Sequence, residues 1–392
     1  MPPSEVSINL PGFTILEVTG YGHILTYYVQ NKTKPNCLYC NSVNLRCKDS
    51  FLRLVRHTDQ CDRHVYLNIK CHKYLCQDCH KYFNERFCGI LPYQRVTEAF
   101  KKQISRKHWD GIPQSRVAAS DKVGHASVYR YFLRDLHLEG QKLLSAQIPK
   151  VIGIDEHFFT RKKGYATTIV DLRRRKVFEV LPGRSEISLK EELLKIPGRS
   201  QVRVVCMDLS TTYKAISKKY FPNALIVADR FHVIRLINQR FMELWKQLDS
   251  AGRYNRGLLS LMRRHHWNLK EDQKLNLERY LHSVPALHAC YWFKQKLAQL
   301  MLHKHLQRQK CIPLVKEFLE VIEQLNESGF ESMRQLGKTL YEWRDEIVRM
   351  WRFTKNNSIT EGLHNKIERV QRQACGFRNF ANYRTRVKVM CA

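Results

Sequence analysis

Val151-Ile152-Gly153-Ile154-Asp155 and Val202-Arg203-Val204-Val205-Cys206-Met207-Asp208 are two apolar runs that each close on an aspartate. Runs this short and this rich in β-branched residues read as strands buried on both faces of a sheet. Working outward, Tyr165 to Asp171 and Lys176 to Leu181 read as two further strands, with turn chemistry at Arg161 to Gly164 and Arg173 to Arg175. Ser188 to Ile196 predicts a helix closed by Pro197-Gly198, and Thr212 to Tyr220 predicts another. Pro222-Asn223 turns the chain into a last strand, Ala224 to Asp229. Three strands in meander, then helix, strand, helix, strand, predict an α/β unit with a mixed sheet, in the order of a ribonuclease H-like arrangement. Phe231 to Trp351 reads as long, helical and basic, an insertion before a final helix that begins near Ser358.

Upstream of this unit lie two cysteine knuckles, Cys37-x-x-Cys40 and Cys76-x-x-Cys79. Two thiolates at that spacing bind one ion from a single turn, and two such turns complete a closed tetrahedral zinc site. Phe51 to Val55 and Val65 to Ile69 supply the strands of a zinc ribbon between them, while Cys47, Cys61, Cys71, Cys88, His72 and His80 stand near enough to substitute as ligands. The opening stretch to about Lys34 alternates weakly and predicts short strands. From Pro92 the period turns helical. Ser115-Arg116-Val117-Ala118-Ala119, the turn Val123-Gly124-His125, and Ser127 to Phe132 predict a helix-turn-helix. Its second helix would offer Ser127, Tyr129, Arg130 and Arg134 to a major groove, with Arg116 beside them.

The chain has 392 residues and a formal net charge of +31, with 67 Lys+Arg against 36 Asp+Glu. Such an excess, spread along the whole length, makes a polyanion the favoured partner, and double-stranded DNA fits the front end best. No apolar run is long enough to span a bilayer, and Met1-Pro2-Pro3-Ser4-Glu5 has no signal-peptide pattern, so a cytoplasmic protein without membrane contact is expected. There the cysteines serve as thiols and metal ligands.

The carboxylates carry the chemistry. A buried strand has little reason to finish in Asp unless a cation or a donor waits there. Asp155 and Asp208, at the ends of strands that neighbour each other in this arrangement, supply hard oxygen ligands for Mg²⁺ or Mn²⁺. Glu156 is expected on the opposite face from Asp155, and Asp171 in a solvated turn. Asp229 and His232 form a D-x-x-H group after the fifth strand, read as a supporting pair, a ligand or a helix cap. The segment from Asn356 to Arg372 puts Ile359, Leu363, Ile367 and Val370 on one helical face and Glu361, Asn365 and Arg372 on the other. The insertion carries Arg253, Arg256, Arg263, Arg264 and Lys270, read as phosphate contacts or a protomer interface.

Taken together, Gly153-Ile154-Asp155-Glu156, Asp208, Phe221-Pro222-Asn223-Ala224 leading to Asp229-Arg230-Phe231-His232, Thr360-Glu361-Gly362 with Asn365 and Lys366, and Gly376-Phe377-Arg378-Asn379-Phe380 resemble the ISL-three family of bacterial insertion-sequence transposases. The resemblance spans nearly the whole chain. It implies DNA transposition by a DDE triad, with Asp155 first, Asp208 second (Asp229 being the other option) and Glu361 third. All three would be ligands of the catalytic Mg²⁺, supported by Asp229, His232 and Asn365. Lys366, Arg369 and Arg372 would face DNA. The expected layout is a zinc-ribbon segment 1–91, a helix-turn-helix domain 92–145, a ribonuclease H-like core 146–238, a helical insertion 239–351 and a closing core segment 352–392. Element ends and target DNA would be the partners of a homodimer or higher oligomer, nucleoid-associated in a bacterial cell. The alternative reading is a non-catalytic DNA-binding regulator derived from a transposase; a nuclease that cuts without joining is a third.

Overall fold

The computed structural model describes residues 8, 10–143, 147–162, 164–353, 358–374, 376–377 and 379–391, without the side chains of Arg253, Ser358 and Glu361. Of the sequence expectations, those on Met1 to Glu5, Asn356, Arg378 and the side chains of Arg253 and Glu361 lie outside the described residues. The chain divides into two compact units, residues 1–141 with 373–375, and residues 142–372 with 376–392.

The first unit holds β1 (Phe13–Tyr21), β2 (Ile24–Asn31), β3 (Leu45–Arg56), β4 (His64–Cys76) and β5 (Tyr82–Asn84), then α1 (Glu98–Trp109), α2 (Gln114–Ser120) and α3 (His125–Gln141). The sheet runs β1-β2-β4-β3, and β5 pairs with β4. Alternation decides its core: Val65, Leu67, Ile69 and Cys71 of β4 all point inward with Tyr27, Val29 and Val55. β3 and β4 are longer than the short strands expected, because they pair antiparallel from Leu45↔Cys76 to Arg56↔Tyr66, with one register shift between Cys47 and Asp49. The three helices close on Phe100, Ile104, Val117 and Val128. Thr97 caps α1 by accepting from Phe100 N. Lys122 (φ 53°), rather than Gly124, is the left-handed residue of the α2–α3 turn.

The second unit opens with β6 (Val151–Thr160), β7 (Gly164–Asp171) and β8 (Lys176–Pro182), followed by α4 (Glu186–Lys195), β9 (Val204–Met207), α5 (Thr211–Tyr220) and β10 (Leu225–Ala228). The sheet order is β10-β9-β6-β7-β8. β6, β9 and β10 run parallel, and β6, β7 and β8 form an antiparallel meander. On one face Ile152, Ile154, Val205 and Met207 pack under Leu189, Leu193, Tyr213 and Ile216 of α4 and α5.

Seven helices follow: α6 (Arg230–Leu248), α7 (Arg256–Arg263), α8 (Glu271–His282), α9 (Pro285–Met301), α10 (Arg308–Asn326), α11 (Glu331–Glu342) and α12 (Arg344–Met350). α6 runs unbroken through residues 238 and 239, where the core was expected to give way to the insertion. The helices are not a loose appendage. Val204, Val227 and Ala228 of the sheet share one core with Val233, Phe318, Leu336, Ile347 and Trp351. The buried guanidinium of Arg230 donates to the carbonyls of Met301 (2.8 Å), His303 (2.8 Å) and Met350 (3.0 Å), satisfying the last residues of two helices and the loop after the first of them.

The chain then returns to the sheet through α13 (Ser358–Gln373) and α14 (Phe380–Met390). Leu363, Ile367 and Val370 of α13, with Tyr383 and Val387 of α14, cover the second face over Phe159, Ala166, Val170 and Cys206. The sheet is therefore buried on both sides, as its apolar runs require. Among the described residues no helix is long and apolar enough to cross a membrane.

Candidate active site and metal centre

The acidic centre is a consequence of register. Val204 to Met207 of β9 lie opposite Val151 to Ile154 of β6 and Leu225 to Ala228 of β10, so Ile154, Met207 and Ala228 form the last rung of the parallel strands. The next residues are Asp155, Asp208 and Asp229. Three aspartates thus leave three neighbouring strands at one level. Asp155 does not end its strand, as the sequence suggested; β6 continues to Thr160 because β7 goes on pairing with it after β9 has stopped.

Electrostatics records the crowding. Burial pushes the Asp155 carboxyl up to about 7, and the carboxylates of Asp208, Asp229 and Glu156 push the same way. Asp208 is raised too, mainly by burial, with His232 opposing and Glu156 and Asp229 adding. Its Oδ1 is buried with no hydrogen-bond partner. Asp229 is buried, caps α6 by accepting from Phe231 N (3.4 Å), and lies 3.6 Å from His232 Nε2. Glu156 is on the other face of β6, where it meets Arg184 at 3.4 Å and lines an open cavity of about 320 Å³ with Asp208, Ser210 and Tyr213.

α13 brings a side chain that sequence reading missed. His364 Nδ1 sits 3.9 Å from Asp155 Oδ2, while its Nε2 is buried without a partner. Burial holds His364 down to about 4, so it is neutral at ordinary pH. Behind it, His157 is fixed between Tyr383 and Thr168. The apolar period of α13 is what put His364 here: it follows Leu363, which points into the core. Glu361 lies one helical turn before His364 on the same helix, its backbone within α13. Asn365, Lys366, Arg369 and Arg372 are exposed, and Arg372 pairs with Glu368 at 3.1 Å.

A buried oxygen without a donor, beside carboxyls that repel one another, is the donor chemistry a hard divalent cation satisfies. Among the described residues, however, the acidic side chains do not gather as closely as the four thiols of the first unit.

Those thiols do converge. The ligand atoms of Cys37, Cys40, Cys76 and Cys79 all lie within 4.8 Å of one another, with Cys37–Cys79 at 3.6 Å and Cys40–Cys76 at 3.5 Å. A tetrahedron of four sulfurs about 2.3 Å from a central ion has edges of just under 4 Å, so the cluster can hold a metal ion in the manner of a zinc ribbon. Ser42 and Asn44 both donate to Asp78, tying the first knuckle to the second. The other candidates stand outside the cluster: Cys71 is buried in the sheet, His72 pairs with Glu85 at 3.0 Å, Cys47 contacts the Asp49 carbonyl, and Cys61, His80 and Cys88 are exposed.

In the helical part of the first unit, Arg116, Tyr129 and Arg130 are exposed and Ser127 is partly so. Arg130 donates to Ser127 Oγ at 3.1 Å. Arg134 is turned inward instead, with its guanidinium 2.7 Å from Glu98 of α1.

A mixed α/β sheet with aspartates at adjacent strand ends, preceded by a four-thiol centre, defines a multidomain α/β protein with a zinc-ribbon-like cluster. The chain belongs to the ISL3 family of transposases, whose model, described as "Transposase", matches residues 152–387, more than half of the sequence. It is also 24% identical over 372 residues to the transposase for insertion sequence element IS1001 of Bordetella parapertussis, covering 91% of this chain and 89% of that protein.

Proposed function

We propose that this transposase cuts element ends and joins their 3′-hydroxyls to target DNA on a ribonuclease H-like core, with Asp155, Asp208 and Glu361 as its catalytic carboxylates. The sheet order β8-β7-β6-β9-β10, a meander followed by two parallel strands, is what supports the ribonuclease H-like reading. The observation that carries the catalytic reading is the shared rung: Asp155 and Asp208 each stand one residue beyond the paired Ile154 and Met207. Glu361, on the helix that brings His364 to Asp155, completes the set.

Mg²⁺ or Mn²⁺ held by these carboxylates would lower the cost of the charge that develops on the attacking and leaving oxygens of a phosphodiester. The chain's own groups do the rest. Asp229, as the cap of α6, holds His232 toward Asp208, and both are positioning residues. Asn365 stands on the exposed side of α13 with Lys366, Arg369 and Arg372, which face the phosphates. His364, neutral, orients Asp155 without adding charge to it.

The zinc centre at Cys37, Cys40, Cys76 and Cys79 serves as architecture. The pair α2–α3 reads element terminal repeats through Arg116, Ser127, Tyr129 and Arg130. Arg134, committed to Glu98, supports the fold of the three helices. We assign residues 1–91 and 92–145 to DNA recognition, 146–238 and 352–392 to chemistry, and 239–351 to the helical insertion. Two ends must be held together for joining, which favours a dimer or higher oligomer acting in the cytoplasm, at the nucleoid.

Labelled element ends incubated with the protein and Mg²⁺ test this reading. Joined products support it; cleavage without joining indicates a nuclease, and binding alone a regulator.

A further inference from the structure

Far along the chain from the acidic centre, the insertion holds a second convergence of ligand-type side chains. Glu278 and His282 are four residues apart on α8 and so share a helical face. His288, in the first turns of α9, stacks on His282 with ring centroids 5.0 Å apart. One ligand atom from each of Glu278, His282 and His288 falls within 4.8 Å of the other two.

A fourth group approaches from the single 3-10 turn His266–Asn268. His266 Nε2 lies 3.6 Å from Glu278 Oε1, and His288 Nε2 lies 3.5 Å from Glu278 Oε2. Both separations are too long for hydrogen bonds. His266 Nε2 is buried and has no hydrogen-bond partner. Two ligands bonded at 2.0–2.1 Å to a tetrahedral ion stand about 3.3 Å apart, close to these spacings. A solvated helix face would have no reason to aim three imidazoles at one carboxylate from three separate elements.

We infer that Glu278, His282 and His288 form a transition-metal site of the zinc type that ties α8 and α9 of the insertion together, with His266 of the 3-10 turn held beside Glu278. Imidazole with one carboxylate suits Zn²⁺, whereas Mg²⁺ prefers an all-oxygen shell, so this site is chemically distinct from the acidic centre. Its role is structural. It fastens the α8–α9 edge of a core that Phe241 and Trp245 of α6 share with Met262, Leu277, Leu281 and Leu287. Trp292 reports on the site: its indole N–H donates to His288 Nε2 at 3.2 Å and its ring lies 4.7 Å from that of His266. Ligation through His288 Nε2 displaces that indole.

The test uses the full chain, loaded with zinc and dialysed against a weak chelator, with metal content measured per chain. About two zinc ions are expected in the unaltered protein, one at the thiols and one here, and about one in His282→Gln. His282 is exposed, so this variant keeps its fold, verified by its circular dichroism. Zinc addition to the metal-free chain should also change tryptophan fluorescence, and Trp292→Phe should remove that change. About one zinc in the unaltered chain, equal content in His282→Gln, or a fluorescence response that survives in Trp292→Phe would each overturn the inference. Because none of these readouts involves DNA, failure here leaves the transposition reading where it stood.

Discussion

Ile154 and Met207 face each other on the last rung of the parallel strands β6 and β9, and the residue after each is an aspartate, Asp155 and Asp208. Their placement follows from hydrogen-bond register. Had β9 slipped by one residue, Asp208 would no longer stand level with Asp155.

Asp155→Ala and Asp208→Ala are expected to abolish cleavage of labelled element ends while leaving binding within about twofold, since both belong to the second unit and the proposed recognition helices to the first. Gel-shift and cleavage assays on the same preparations check this. Loss of binding in both variants would mean that the two aspartates hold the fold rather than the chemistry.

The crowding of these carboxylates predicts a pH dependence in protein free of divalent ions. Asp155 has a folded pKa of about 7 against an ordinary 3.8, so its contribution to stability is fully present below pH 3.8 and is lost as pH rises through 7. The cost above that window is at most about 4 kcal/mol. Asp155→Asn should therefore melt several degrees above the unaltered protein at pH 8 and converge with it toward pH 4. Mg²⁺ should narrow the gap at pH 8 by stabilising only the unaltered chain. Melting curves that stay parallel at every pH would contradict this.

Removal of zinc from the four-thiol centre should unfold the far end of β3–β4 and with it β5. Cys40→Ser, at the exposed member of the set, is expected to lower zinc content by about one ion per chain and expose that segment to protease. Limited proteolysis with mass spectrometry reads the outcome. Protection unchanged in the variant would show that the sheet holds without the metal.

α14 is fastened by charge as well as by packing. Glu179 of β8 is buried and accepts from Arg384 (2.7 Å) and Lys388 (2.8 Å), and Arg384 also reaches Glu192 at 2.6 Å. Those two cations keep the Glu179 carboxyl below its usual range in spite of burial. Arg384→Met should cost about 2–3 kcal/mol, because it leaves a buried carboxylate half-compensated. Urea unfolding measures it, and Glu179→Met combined with Arg384→Met should cost less than the sum of the two.

For the recognition helices, Arg130→Ala should weaken DNA binding and reduce the salt slope by about one, the signature of one lost phosphate contact. Arg134→Ala should leave the slope unchanged and lower stability by up to about 1 kcal/mol, since its half-exposed guanidinium is held by Glu98. A drop in slope for Arg134→Ala would return that residue to the DNA-facing set.

Much of this was legible in the chain itself. Paired knuckles at Cys37, Cys40, Cys76 and Cys79 announced a metal site because thiol spacing is a local property. The strands around Asp155, Asp208 and Asp229 announced themselves because apolar runs buried on both faces leave no alternation to misread. α14 did not, because its basic residues, Arg384 and Lys388, look like a solvated tail until Glu179 is found beneath them. His364 escaped notice because one histidine within an amphipathic helix carries no pattern of its own.

Local chemistry, then, determined which segments are strands and helices and which residue types can bind a metal, since period, capping and ligand spacing are written within a few residues of one another. Tertiary structure alone decided which of the carboxylates are neighbours, that Arg134 turns to Glu98, that Arg230 ties the insertion to the sheet, and that Glu278, His282 and His288 meet. The reason is physical: each of these depends on register and packing between elements distant in the chain, and such contacts are chosen by the burial of the whole core rather than by any one segment.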